Sequence, residues 1–185
     1  MQAGEKAALL RCGENSFQGC FVFFENNGLA SFVTEMLVCV GIMNSAPKAA
    51  NPLFLKVYVD GSDQSIMFHH VCYCSMDIFE EKEQAIKASG QGAKTADTFL
   101  GQLMYMEEYK LSGYVTSTGI RIVLVFDESD TKDSTLIKAF LRKLHSLYAD
   151  CVSNPFYQPG QVLNSPKFEK DVATLVRLWN SDAFR

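Results

Sequence analysis

The chain has no basic surplus: 17 Lys and Arg stand against 21 Asp and Glu in 185 residues, a formal net charge of −4. Binding dominated by nucleic-acid phosphates requires such a surplus, so a nucleic-acid partner is not expected. Long apolar runs are missing too. A bilayer-spanning helix takes about 20 consecutive apolar residues, whereas the longest uncharged apolar candidate here, Met36 to Met43, is only strand length. No transmembrane segment is expected. Glu5 and Lys6 are not followed by a long apolar stretch with a small-residue cleavage site, which argues against a secretory leader. Gln2 stands where myristoylation needs glycine, and Asp182-Ala183-Phe184-Arg185 is not a prenylation box, so no lipid anchor is expected. Phosphate-binding loops are absent as well, because the glycines lie singly and Gly90-Gln91-Gly92 lacks the third glycine and the following helix of a dinucleotide fingerprint. The six cysteines, at 12, 20, 39, 72, 74 and 151, are scattered, and four of them sit in apolar periodic stretches where buried free thiols are common. A reducing, cytosolic setting fits that usage.

What is present is an ordinary globular core. A 48% hydrophobic content over 185 residues is that of one domain with room for a tail. Residues 1–35 hold a short apolar island, Phe21-Val22-Phe23-Phe24, without a clear period, and read as an N-terminal extension. From Met36 the pattern sharpens. Leu37 to Met43 is a continuous apolar run suited to a strand buried on both faces. After a loop over Asn44 to Asn51, Leu53, Leu55, Val57 and Val59 alternate with Phe54, Lys56 and Tyr58 in a second strand that ends at the turn signal Asp60-Gly61-Ser62-Asp63. Together these predict a hairpin.

From Ile66 to Lys87 the spacing turns helical, with Val71, Ser75, Ile78 or Phe79, Lys82 and Ile86 three or four apart. Beyond the breaker Ser89-Gly90-Gln91-Gly92 come three strand candidates, Phe99 to Met106, Tyr109 to Thr116 and Ile120 to Phe126, forming an antiparallel meander. Asp133 or Ser134 caps the next helix, whose stripe runs Ile137, Phe140, Leu141, Leu144, Leu147, Tyr148 and Cys151 while Lys138, Arg142 and Lys143 face water. Pro155 stops it by Asn154. Ser165 with Pro166 starts a last helix that buries Phe168, Val172, Leu175, Val176 and Trp179. A five-stranded sheet covered by helices accommodates this order, with the order of strands in the sheet left open.

Chemistry is sparse. Cys72-x-Cys74 with His69 and His70 is the most chemical-looking cluster, but on a helix positions 72 and 74 point about 200° apart and one metal ion could not easily use both. Core packing accounts for it better than metal or thiol chemistry. Asp77, Glu80, Glu81 and Glu83 make an acidic band that reads as a solvated face, with Glu83 and Lys87 spaced for a helical ion pair. Asp77 lies nearer the apolar side, and either a local hydrogen bond or a partner contact would account for it. His145 has no nucleophile or acid placed beside it in sequence and reads as a surface residue. The pattern favours an interaction module over an enzyme.

The C-terminal half carries a resemblance. Glu107 to Thr116, Phe140 to Tyr148 and the element Asn154-Pro155-Phe156-Tyr157-Gln158-Pro159-Gly160 resemble the sedlin family of TRAPP complex subunits, as does Ser75 to Lys82. The likeness covers residues 36–185, while family members start near what is here Met36. It implies an α+β, longin-like (SNARE-like) fold: a five-stranded antiparallel sheet with one helix on one face and two on the other. It also implies a non-catalytic subunit of a vesicle-tethering hetero-oligomer in ER-to-Golgi and Golgi traffic, cytoplasmic and peripheral to those membranes, without a cofactor. Its partners would be the small-subunit core and the larger subunits of the Golgi-acting TRAPP form, and a Rab GTPase would be met only through the assembly, to which the exchange activity belongs. By position, Asp77 matches the family's acidic residue of the first helix and is the better interface candidate. Asn154, Pro155, Phe156 and Tyr157 match the loop after the penultimate helix; Phe156 and Tyr157 either staple that loop over the core, the favoured reading, or touch a partner. Two other readings stand beside this one: another longin-type module, such as a SNARE regulatory domain or adaptor small subunit, and an enzyme using Cys72, Cys74 and His70.

Overall fold

A computed structural model of the chain describes residues 36–44, 52–59, 62–88, 98–106, 108–181 and 183–184. The expected extension over residues 1–35, the loop after Asn44 and the breaker Ser89 to Gly92 lie outside the described residues.

The element order is β1 (Leu37–Asn44), β2 (Phe54–Val57), α1 (Ser62–Ala88), β3 (Thr98–Met106), β4 (Tyr109–Val115), β5 (Ile120–Asp127), α2 (Ser134–Val152) and α3 (Pro166–Asn180). Each element was legible in the sequence, with small shifts of boundary. Ser62 and Asp63, read as turn, already belong to α1. β2 is shorter than expected, although Leu53 N–H to Ile42 O (2.9 Å) and Tyr58 N–H to Val38 O (2.8 Å) continue its pairing at both ends.

The five strands form one antiparallel sheet in the order β2-β1-β5-β4-β3. β1 joins the hairpin to the meander by pairing with β5, Cys39 opposite Val125 and Ile42 opposite Ile122. Both strands are covered on both faces, which is why they read as nearly unbroken apolar runs. Alternation divides their side chains. Ile120, Ile122, Leu124 and Phe126 join Val40 and Ile42 in a core completed by α2 and α3, whereas Val123 and Val125 join Cys39 and Met43 in a second core completed by α1. One helix therefore covers one face and two cover the other: the longin-like, α+β arrangement.

Arg121 breaks the apolar alternation of β5 on the α1 side. It is 3% exposed, and its Nε donates to Glu83 Oε1 at 2.9 Å while Nη1 lies 3.5 Å from Glu80 Oε1. Its guanidinium also sits 5.8 Å from the centre of the Phe79 ring. Glu83 is thus spent on the sheet rather than on Lys87, and the acidic band is not a purely solvated face. A planar donor fork held between carboxylates and an aromatic face satisfies what an isolated buried charge could not.

On the opposite face, α2 is capped by Asp133, whose carboxylate accepts from the Thr135 hydroxyl and the Ser134 N–H; these bonds hold it below the usual carboxylate range. Trp179 of α3 is the largest fully buried side chain, and its Nε1 donates to Asp130 at 2.8 Å.

β3 is an edge strand of nine residues, and an edge of that length invites pairing with other chains. Two register shifts interrupt it, with Gly101 at φ 71 in the first. Lys82, which the helical pattern placed on the apolar stripe of α1, extends its ammonium to the carbonyls of Leu100 (3.3 Å) and Gln102. The stem packs and the charge guards the edge. Lys82→Met is expected to leave the fold intact and to produce concentration-dependent self-association, read by light scattering after gel filtration; a strictly monomeric Lys82→Met would show that the bulges alone protect β3.

Candidate functional site

The α2–α3 connection is built by local hydrogen bonds. At the end of α2, the Ser153 N–H and hydroxyl both bond the Ala149 carbonyl, at 2.9 and 2.7 Å. Pro155 prevents the next turn. Asn154 closes a tight turn over it: its Oδ1 accepts from Phe156 N–H at 3.1 Å and its carbonyl from Tyr157 N–H at 2.9 Å. The Tyr157 hydroxyl donates to the Gln161 carbonyl at 2.8 Å, and Gly160 supplies the φ of 88° that the following turn needs. Leu163 N–H then donates to Leu53 O at 2.8 Å, tying the loop to the β2 edge before Ser165 caps α3.

This loop treats its two aromatic residues differently. Tyr157 packs against the core under α2 and α3, where burial pushes its phenol above the usual tyrosine range and keeps the hydroxyl a neutral donor. It is a staple, as the sequence suggested. Phe156 is not: it is 91% exposed, so the stapling reading fails for that residue. The Asn154 turn holds the backbone N–H groups of both residues, and on it the Phe156 ring stands in solvent while that of Tyr157 packs inward. Burying a phenylalanine is worth about 1.5–3 kcal/mol, a gain this loop forgoes.

Beside Phe156 opens a cleft of about 430 Å³ between the last turns of α2 and the first turns of α3. Val162, also exposed, sits on its rim, and the buried Leu163 and Phe168 form its floor. The sequence reading missed this cleft, although Leu147, Asp150 and Cys151 are spaced to share one face of α2.

Asp77 lies elsewhere, on the solvent side of α1 and on the other face of the sheet. It is exposed rather than tucked beside the apolar stripe as its neighbours in sequence suggested. At 100° per residue it falls in line with Ile66 and Tyr73, which are 70% and 40% exposed. Cys72 and Cys74 part as helical geometry requires. Cys72 is fully buried beside Cys39, whose thiol is pushed up by that contact and by burial, while Cys74 faces solvent with its sulfur 3.7 Å from His70 Nδ1. Among the described residues no three His, Cys, Asp or Glu side chains are grouped to hold a metal ion. His145 is half-buried, not a surface residue, with its ring 6.0 Å from that of Tyr114. Among the described residues no helix is long and apolar enough to cross a membrane.

The family model described as Sedlin matches residues 47–178. A Dictyostelium discoideum protein named trafficking protein particle complex subunit 2-like protein is 38% identical over 145 residues, covering 77% of this chain and 97% of the relative. A Xenopus tropicalis protein of the same name is 33% identical over 144 residues, 76% of this chain and 97% of its own length. The transport protein particle 20 kDa subunit of Schizosaccharomyces pombe is 29% identical over 119 residues, 64% of this chain and 79% of the relative.

Proposed function

The chain belongs to the sedlin family, and on that premise we propose that it is a non-catalytic subunit of a TRAPP vesicle-tethering complex. It acts by docking to other TRAPP subunits in ER-to-Golgi and Golgi traffic, and it supports Rab nucleotide exchange only as part of that assembly. Residues 36–185 are the docking domain, residues 1–35 an extension of it, and the site of action is the cytoplasmic side of endoplasmic reticulum and Golgi membranes. The names of the relatives support the reading. The observation that carries it is Phe156, an aromatic ring held in solvent by a loop with its own hydrogen bonds. A fold that spends bonds to keep a ring out of its core has a use for it outside the chain.

The exposed rows at Asp77 and at Phe156 lie on opposite faces of the sheet, which suits a subunit that joins two neighbours. Affinity purification of the tagged full-length chain and of residues 36–185, with mass spectrometry of what co-purifies, tests the proposal. TRAPP subunits are expected with both; adaptor or SNARE proteins in their place would move the chain to another longin-type role. Phe156→Ala is expected to change stability by less than about 0.5 kcal/mol and to weaken the partner contact by about 2 kcal/mol, or about 30-fold. Unchanged partner recovery would remove Phe156 from the interface.

A further inference from the structure

The cleft behind Phe156 has a chemistry of its own. Its floor is apolar, Leu163 and Phe168, and its rim carries two more exposed apolar groups, Phe156 and Val162. Two carboxylates line it, Asp150 from α2 and Asp171 from α3, and the one cation among the lining residues is Lys167. No ion pair among the described residues involves either carboxylate. The helix ends nearly cancel, since α2 brings its negative end to the cleft and α3 its positive end, so the carboxylates set the sign. The volume of about 430 Å³ takes one or two large side chains and lies low in the range of small-molecule pockets, about 300–1,000 Å³.

We infer that this cleft receives a segment of another protein that presents a large apolar side chain next to a Lys or Arg. The apolar group seats on Leu163 and Phe168 with Phe156 and Val162 closing over it, and the cation reaches Asp150 and Asp171. This arrangement of an apolar anchor inside a charged rim is the one in which burial gives affinity and charge selects the partner. The inference rests on the docking role proposed above and assigns to it a partner chemistry and two further residues.

The test uses the complex formed by co-expressing the full-length chain with the TRAPP subunits it retains. A carbodiimide, which joins a carboxylate to an amine without a spacer, is expected to link the peptide of Asp150 or Asp171 to a lysine of another subunit. Where the partner's cation is arginine the carbodiimide forms no link, and the variants decide. Asp150→Asn with Asp171→Asn is expected to leave the melting temperature unchanged and to weaken retention of one subunit about ten-fold at low salt, with a flatter salt dependence than the native chain. Native levels of every subunit in this double variant would overturn the inference alone. A link between two copies of this chain would overturn it in favour of self-association, and a native chain that retains no TRAPP subunit would overturn the docking role as well.

Discussion

Trp179→Ala is expected to cost the fold about 4–6 kcal/mol, the largest loss of any single truncation considered. Removing a fully buried tryptophan costs about 3–5 kcal/mol through lost burial and the cavity left behind. Here the ring is central to an aromatic cluster, with centroids 5.5 Å from Phe126, 5.2 Å from Phe140 and 5.4 Å from Phe184. A second cost comes from Asp130, which is buried and accepts the indole N–H at 2.8 Å; a carboxylate stripped of a donor loses about 1–3 kcal/mol. Lys132 adds a third link through its ammonium, 4.8 Å from the ring centre, whereas its bond to the Trp179 backbone carbonyl at 2.8 Å survives the truncation. At about 2–4 °C per kcal/mol for a chain of this size, melting followed by circular dichroism should fall by roughly 10–20 °C. Trp179→Phe keeps an aromatic ring but removes the donor and part of the indole's volume, and its expected loss is about 2–4 kcal/mol, between the native chain and the alanine variant. A loss below 2 kcal/mol for the alanine variant would mean that α3 repacks freely, against the density of contacts around it.

Arg121→Met is expected to follow, at about 2–4 kcal/mol. Taking one partner from a buried ion pair costs about 3–5 kcal/mol because the other charge stays behind. Glu83 keeps 19% of its side chain in water and Glu80 keeps 60%, so part of that penalty is relieved. The decisive measurement is a double-mutant cycle. Glu83→Gln on the Arg121→Met background removes the stranded charge and should restore at least half of the loss. If the double variant is as unstable as the sum of the two, Arg121 contributes through its packing on Phe79 rather than through its charge.

The elements of the fold were legible because local rules agree in them. β1 announced itself as an unbroken apolar run, α2 by an acidic cap and a clean stripe, and α3 by Ser165 and Pro166 followed by a periodic face. Sheet order was not legible, because β1 finds β5 through Ile42 and Ile122, and nothing local in either strand names the other. Side-chain partners between layers were hidden for the same reason. Glu83 has Lys87 one turn away in sequence, yet Arg121 is nearer in space. For Phe156 and Tyr157 the sequence shows two adjacent aromatics after a proline, and which one turns inward shows only once the turn closed by Asn154 is built. Asp150 and Asp171 were passed over because each is an ordinary polar position on its own helix. They become a pair only when α2 and α3 are laid side by side.

The neighbourhood of β1 and β5 also sets a timetable. Ile42 faces Ile122 across about 80 residues of chain, so at a synthesis rate of about 5–20 residues per second the first strand waits roughly 4–16 seconds for its inner neighbour to be made. During that interval β1, β2 and α1 have been made without the strands and helices that cover them, and a two-stranded ribbon is at best marginally stable. The ribosome therefore presents its most apolar strand early and completes it late. Completion of the sheet waits for the C-terminal half of the chain, because the β1–β5 pairing is among the non-local contacts that slow folding.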